Sequence, residues 1–518
     1  MGSQAQSHWV SLPEAFAASL YTRGPVTGDL PGATGNQRRR VDDYRGVGTD
    51  QAEEVGTVTV TADPDPDPAP GPGQPEGAPP QRERPLRPVL WRLHFLGGFL
   101  AAPVVLSLAL TGVLFAWNPQ IEAVLHTDAL TAVAAGQPQP LSEQVAAAGS
   151  EHPGWTLMAV TPAAEPGATT GVTLAPEGAG GAESEPVDGA TTVYVDPASA
   201  TVTGQIVETS RPSEWLRTLH SSWHLGPMAE PLTELAASWV LVSLLTGLYL
   251  WWPRGKRGWA RLLRPRWRAG GRRAWRDVHT TLGVGIFVLL LGMVGTGLTW
   301  TNYAGAWLDA VRAGLSSGTP AVSTGLAAES TGHHVAAPQG GDAGGIDTVA
   351  ASAARAGLSG PLEITPAGQA GSAWTVATVD DRWPVELTTV AVDPGSGQVV
   401  DRVGWADYPL LAKATTLGID FHQATLFGLA NQILLTAMAI ALVGLIVAGY
   451  RMWWRRRPAG GLGAPPRVGP LLRTVPVPLL VGFAVLMVAL PTLGVSFLVY
   501  LAVERVVRSV RCPARSGA

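Results

Sequence analysis

Long apolar runs alternate with polar segments along this chain, and the runs have the length of membrane-spanning helices. A helix crosses the hydrocarbon core of a bilayer with about 20 apolar residues. The runs predict four spans. The first and third are 90–117 and 279–302. Segments 213–252 and 409–454 each contain a short outer helix followed by the second and the fourth span. A fifth hydrophobic segment, 475–503, contains Pro491 and is therefore predicted to be either kinked or tilted.

Two of the polar segments are long enough to fold, and we predict that 118–212 and 303–408 form two small α+β lobes. Each lobe begins with a short helical stretch. Strand-like alternation then ends in Val-Asp-Pro, at 191–197 in the first lobe and at 388–394 in the second. A glycine-rich tract in the second lobe holds His333-His334, which is either a metal-capturing pair or part of a solvated loop, and we favour the loop.

The distribution of basic residues predicts the orientation in the membrane. Arginine and lysine mark the cytoplasmic side of membrane proteins, and here they concentrate before the first span and in the loops 253–278 and 455–474. Segment 118–210 carries neither residue, which predicts extracytoplasmic lobes. The basic tail 504–518 would also lie outside if 475–503 crossed the membrane once, and a re-entrant segment would remove this conflict.

Charge and cysteine content exclude several classes of function. The net charge of −4 at pH 7 gives no electrostatic reason to expect a nucleic-acid partner. Residues 1–85 are polar and rich in proline and glycine, and we predict a disordered cytoplasmic tail. Cys512 is the single cysteine, which excludes an intrachain disulfide, covalently attached c-type haem and a four-cysteine iron–sulfur cluster. A haem in this protein would therefore be of the b type.

Four histidines recur at matching places relative to the apolar runs. His94 and His279 lie at the predicted inner ends of spans one and three, whereas His220 and His422 precede spans two and four on the outer side. If the chain is duplicated, equivalent residues lie at equal depth and can face each other across an internal axis. We predict that His94 pairs with His279 and His220 with His422, each pair ligating one haem iron, so that two b haems are bound. An interfacial polar role is the alternative for each histidine.

Glycines near these histidines are candidates for the same site. Gly98 and Gly283 follow the first histidine of each half by four residues, so they share its helix face one turn away. They provide either clearance for a porphyrin ring or a close approach between helices, and we include them as cofactor-binding candidates. Gly112 and Gly297 lie further along the same faces, and for them we favour helix packing over clearance for a second haem.

Several motifs recur in order along the spans: Leu93-His94, Leu110-Thr111-Gly112, Leu245-Thr246-Gly247 extending to Trp251-Trp252-Pro253-Arg254, Leu426-Phe427-Gly428 extending to Asn431-Gln432, Gly449-Tyr450 and Trp453-Trp454. With them the chain resembles the PepSY-associated transmembrane helix family over about 90–460, and the two lobes look like PepSY domains. The resemblance implies a multi-pass protein of the bacterial cytoplasmic (inner) membrane that is linked to iron uptake. Some relatives are di-haem reductases of ferric siderophores, which implies haem ligation at the four histidines. Phe95 and Gln423 depart from the family, whose members commonly have a basic residue and a glutamate at these two positions.

The fold class expected is therefore a mainly α membrane protein. Duplicated two-span units would pack as a four-helix transmembrane bundle, with a fifth hydrophobic segment and two extracytoplasmic α+β lobes. The expected function is that of a haem-dependent ferric-chelate reductase, with a cytoplasmic or quinol electron donor and a ferric chelate or siderophore at the outer face. No catalytic residue is assigned. One alternative is a non-enzymatic PepSY-type envelope protein that binds or regulates a peptide or protein partner. Another is metal or proton transport along the histidines and Glu234.

Overall fold

The computed structural model describes residues 86–178, 187–252, 266, 268, 270–326, 344–369, 371–457, 463 and 475–511. Several sequence predictions lie outside the described residues: the tail 1–85, most of the loops 253–278 and 455–474, the His333-His334 pair and Cys512. In chain order the helices are α1 (Leu86–Ala116), α2 (Asn118–Leu125), α3 (Thr127–Leu130), α4 (Leu141–Glu151), α5 (Pro212–Ser222), α6 (Glu230–Trp251), α7 (Gly271–Gly285), α8 (Phe287–Leu298), α9 (Asn302–Gly314), α10 (Ile346–Arg355), α11 (Leu410–His422), α12 (Leu429–Trp454), α13 (Val477–Ala489) and α14 (Pro491–Arg511).

The predicted spans coincide with the long apolar helices. Among the described residues, α1, α6 and α12 are each long and apolar enough to cross a membrane, and two bent pairs would raise the number to five if each is one span. The pair α7 and α8 replaces the single span predicted at 279–302 and is bent by 60° at Ile286. Gly283 and Gly285 lie directly before this bend, and glycine pairs are a common site of helix kinks.

The apolar helices pack side by side around a core of aliphatic and aromatic side chains. α1 contacts α6 and α12, α7 contacts α12, and α8 contacts α6. α1 and α6 approach each other closely at Gly97, where an added Cβ would lie 2.7 Å from Ser243 Oγ and 3.0 Å from a ring carbon of Trp239. Small residues allow such approaches between membrane helices, where packing drives association.

The fifth hydrophobic segment turns back on itself at Pro491. Proline cannot continue a helix, and the axes of α13 and α14 differ by 119° across Leu490. α14 then runs beside the other helices in one direction. Near the start of α14, Thr492 donates a 3.0 Å hydrogen bond to Glu234, which lies close to the start of α6. Further along α14, Glu504 forms a 3.2 Å ion pair with Arg92, which lies close to the start of α1. The end of α14 therefore lies at the same end of the helices as the start of α1, as a re-entrant segment requires.

The polar segments form a single antiparallel sheet of eight strands. The strands are β1 (Thr156–Thr161), β2 (Thr170–Ala175), β3 (Thr191–Asp196), β4 (Thr201–Val207), β5 (Leu362–Thr365), β6 (Trp374–Thr378), β7 (Thr388–Val392) and β8 (Val399–Gly404). Their order is β4-β3-β2-β1-β5-β6-β7-β8. Each predicted lobe contributes one four-stranded meander, and the two meanders meet where Val160 of β1 pairs with Ile364 of β5.

The two predicted lobes are therefore halves of one layer with a common core. One cluster of buried apolar side chains includes residues from both meanders and from α4 and α10. Ser142 at the start of α4 also donates hydrogen bonds to Asp347 at the start of α10. The physical reason for the joining is that β1 and β5 would otherwise be edge strands with unpaired backbone groups.

Candidate functional site

His94 on α1 and His279 on α7 face each other between the helices, and we call them the inner pair. Their ring centres are 6.1 Å apart, and their ring planes are inclined at 85°. Two imidazoles that share one metal along a common axis have ring centres about 6 Å apart, because a metal–nitrogen bond is about 2 Å and the nitrogen lies about 1 Å from its ring centre. The spacing of the inner pair fits one iron between the rings.

Backbone carbonyls orient both rings of the inner pair. His94 Nδ1 donates to the carbonyl oxygen of Ser243 at 2.9 Å, and His279 Nδ1 donates to that of Leu445 at 3.0 Å. A carbonyl oxygen can only accept, so Nδ1 carries the proton in both neutral rings. Nε2 then keeps its lone pair, which is the form in which histidine ligates a metal, and the Nδ1 bond fixes the ring orientation.

His220 at the end of α5 and His422 at the end of α11 form the outer pair, and threonine hydroxyls orient their rings. His220 Nδ1 lies 2.8 Å from Thr111 Oγ1, and His422 Nδ1 lies 2.8 Å from Thr296 Oγ1. Each hydroxyl also donates to the backbone carbonyl four residues before it, at 2.9 Å in both cases. Its proton is thus engaged, so it accepts from Nδ1–H and leaves the lone pair of Nε2 available.

Partial burial among the helices lowers the pKa of both rings of the outer pair. The pKa of His422 is lowered to about 4, chiefly by burial and then by repulsion from His220, against the raising effect of a hydrogen bond to the Met293 carbonyl. Burial also lowers the pKa of His220. Trp300 contacts the His422 ring, with 5.2 Å between ring centres.

A glycine lies against each of the four imidazole rings and makes room for it. The distances from a Cβ built on that glycine to ring carbon Cε1 are 2.9 Å for Gly247 and His94, 3.7 Å for Gly449 and His279, 3.3 Å for Gly112 and His220, and 3.2 Å for Gly297 and His422. In both halves of the chain, the inner histidine therefore rests on a glycine of the following span, and the outer histidine rests on a glycine of the preceding span. Gly112 and Gly297, which the sequence analysis assigned to helix packing, contact the outer pair.

The two glycines predicted to clear a porphyrin have different surroundings. A Cβ at Gly98 would meet nothing within 4 Å, whereas one at Gly283 would lie 3.1 Å from Leu445 Cδ1. The close helix approach near Gly98 falls instead on its neighbour Gly97. Gly98 is therefore exposed on α1 one turn after His94, and Gly283 packs against a leucine.

Sequence reasoning identified the histidines but not all the residues that hold them. The carbonyls of Ser243 and Leu445 carry no signature in the sequence, because every residue has a carbonyl. Gly247 did carry a signal, since Thr246-Gly247 repeats the Thr-Gly pairs that lie against the outer pair. At the fourth site Ala448 precedes Gly449, so the repeat is incomplete and the signal is weaker there.

Glu234 is a buried carboxylate that ties three helices together. It lies on α6 and is 1% exposed. It accepts hydrogen bonds from Thr492 Oγ1 of α14 at 3.0 Å and from the backbone N–H of Tyr303, in the first turn of α9, at 3.1 Å. A carboxylate is favoured at a helix N-terminus because the free N–H groups and the helix dipole are positive there.

The remaining histidines of the described chain make other contacts. His224 packs against Trp215 with 5.1 Å between ring centres. His152 Nε2 lies 2.8 Å from Gln205 Oε1 in the sheet. His126 follows the last residue of α2, and its backbone N–H bonds to the carbonyl of Glu122.

Comparison with known proteins gives one family. The family described as PepSY-associated TM region matches residues 91–456, a stretch that includes both histidine pairs and all eight strands. A search of the curated proteins finds no match to the chain.

Proposed function

Because the chain belongs to the PepSY-associated TM region family and has several apolar helices capable of spanning a membrane, we propose that it is a di-haem b electron-transfer protein of the bacterial cytoplasmic membrane. The observation that carries the proposal is the inner pair: two imidazoles at 6.1 Å, each with Nδ1 bonded to a backbone carbonyl. A structural histidine needs no second imidazole at this spacing.

The inner pair would hold one haem iron and the outer pair a second. Haem supplies reversible one-electron transfer at its iron when bound. The work of the chain is to orient the rings, through carbonyls at one site and threonine hydroxyls at the other, and to exclude water from both. The open space at Gly98 supports a large flat group beside His94.

We interpret the helices as duplicated two-span units packed in a four-helix bundle. The matching contacts of the two halves support this: His94 and His279 each rest on a glycine of the following span, and His220 and His422 each on a glycine of the preceding one. In this interpretation the two histidine pairs lie at two depths of the membrane and form a path for electrons across it.

The electron acceptor we propose is a ferric chelate, such as a siderophore, at the outer face. The support is the resemblance to relatives that reduce ferric siderophores. Reduction of Fe(III) to Fe(II) weakens its binding to hard oxygen ligands and so releases the metal. The donor would be a cytoplasmic reduced flavoprotein or a membrane quinol.

A redox difference spectrum with a haem count per polypeptide tests the haem sites. We expect about two haems in the wild-type protein, one in His94→Ala and one in His422→Ala, because each change removes one ligand pair. His152→Ala is the matched control, since its ring bonds to Gln205 in the sheet and it should keep both haems. Absence of a Soret and α-band change with dithionite would refute haem binding, and an unchanged count in both variants would refute the pairing.

The reductase activity requires a separate measurement. Protein in liposomes with an internal reductant should reduce an external ferric chelate, and the rate should fall in both histidine variants. Haem-free protein that captures an envelope protein through its outer sheet would instead establish the non-enzymatic alternative.

A further inference from the structure

The two histidine pairs differ in the atoms that accept their Nδ1–H bonds. Both rings of the inner pair donate to backbone carbonyls, at 2.9 and 3.0 Å. Both rings of the outer pair donate to threonine hydroxyls, at 2.8 Å. The pairs are otherwise alike, because each has two half-buried histidines and a glycine against each ring.

The acceptor on Nδ1 affects a metal bound at Nε2. A strong acceptor pulls the Nδ1 proton away and makes the imidazole a better electron donor to the iron, which favours the ferric state. An amide carbonyl is a stronger acceptor than an alcohol. Hydrogen bonding around the ligands is one of the means by which a protein sets a haem potential.

We infer that these hydrogen bonds give the inner haem the lower reduction potential and the outer haem the higher one, with Thr111 and Thr296 as positioning residues that set the outer value. The inference rests on the proposed function. Electrons that enter at the inner site then reside at equilibrium on the outer site, beside the face where the acceptor would bind.

Two secondary contacts show which histidines differ most in the acceptor of their Nδ1–H bond. His94 has a second neighbour, Thr246 Oγ1, at 3.3 Å from Nδ1, and His422 has the Met293 carbonyl as a second acceptor. His279 bonds to a carbonyl at a site where Ala448 stands in place of the threonine. His220 bonds to the Thr111 hydroxyl, so Thr111 is the better threonine to change.

A potentiometric titration of the full-length haem-loaded protein, followed by α-band absorbance, tests the inference. We expect two one-electron steps in the wild type, with the higher step absent in His422→Ala. The preference for the outer site should be about tenfold or more, and tenfold corresponds to about 59 mV for one electron. Two bound haems with the inner step equal to or above the outer step would overturn the inference and leave the proposed function intact. A protein without haem would defeat both.

Substitution of the threonine gives a second, independent measurement. Thr111→Val removes the acceptor of His220 with little change in volume and should shift only the higher step, to still higher potential. Thr111→Ser keeps the hydroxyl and should leave the step in place. Thr233→Val is the matched control, because the Thr233 hydroxyl donates at 2.7 Å to the Glu230 carbonyl in the first turn of α6, and neither step should move beyond error. A Thr111→Val protein with two haems and unmoved steps would contradict the assignment.

Discussion

Substitution of Gly247 by alanine tests how tightly the chain holds the inner pair. The new Cβ would lie 2.9 Å from Cε1 and 3.3 Å from Nδ1 of His94. Carbon atoms pack at about 3.5–4.0 Å, so the ring must retreat by roughly 0.6 Å. The Nδ1 bond to Ser243 is only 2.9 Å long, and the ring spacing already fits one iron. A displacement of the His94 ring therefore disturbs both its hydrogen bond to Ser243 and its spacing from His279.

The expected cost follows from similar substitutions in packed interiors. Overpacking by one methyl group costs about 1–3 kcal/mol, which is roughly a 5- to 150-fold loss in affinity for a ligand that needs the original geometry. We expect Gly247→Ala to lose the inner haem on dilution while the outer haem remains. The assay is haem per polypeptide after gel filtration, together with thermal unfolding of the haem-free protein in detergent.

Gly449→Ala is the matched control in the other half of the chain. Its Cβ would lie 3.7 Å from both Cε1 and Nδ1 of His279, an ordinary contact. Alanine also favours a helix over glycine by about 1 kcal/mol, so this variant should retain both haems and unfold at the same or a higher temperature. Equal haem loss in the two variants, or none in Gly247→Ala, would refute the steric reasoning.

Three further predictions concern other parts of the chain. Gly98→Leu meets open space in the protein, so the thermal stability of the haem-free form should be unchanged while its haem content falls. Glu234→Ala should lower the free energy of unfolding by about 1–3 kcal/mol, measured by denaturation in detergent, because the Tyr303 N–H and the Thr492 hydroxyl lose their buried acceptor, and Glu234→Gln should cost less. Cys512 is the single cysteine and follows α14, so an impermeant maleimide should label it in inside-out vesicles and not in right-side-out ones.

Each of these results has a contrary outcome. Unchanged haem content in Gly98→Leu would mean that the open space faces lipid. Equal stability of the alanine and glutamine variants at Glu234 would mean that its hydrogen bonds contribute nothing beyond packing. Labelling of Cys512 from the outside would place the end of α14 opposite to the predicted cytoplasmic side.

The positions of the spans were predictable because apolar length alone defines them, as α1 and α12 show. A kink at Pro491 was one of the two alternatives predicted, because proline cannot continue a helix. The 60° bend at Ile286 was not predicted. Glycines in an apolar run serve equally for helix packing and for kinks, so Gly283 and Gly285 carry no unique signal.

The strands of each lobe were visible in the alternation of the sequence, but their joining was not. The pairing of β1 with β5 is made through one residue pair, Val160 with Ile364, and these two residues are far apart in the chain. No local pattern encodes such a contact, because it is set by the approach of two separately formed meanders. The same is true of the ring partners Ser243 and Leu445, which act through backbone atoms.

The histidine positions could be read from their repeated spacing, and the match between the halves predicted that His94 would approach His279, as found. The haem sites themselves stay a prediction. The Thr-Gly pairs were visible in the sequence. Which histidine ring each pair contacts depends on how the helices cross, and the sequence does not give that.

The junction between β1 and β5 has a mechanical consequence. α5, which follows the first meander, carries His220, and α11, which follows the second, carries His422. A rocking motion that parted the two halves at their outer end would have to split the sheet and uncover Val160 and Ile364, which are 0% and 1% exposed. The continuous sheet thus opposes any motion that would separate α5 from α11, and it keeps the segments that carry His220 and His422 joined through β1 and β5.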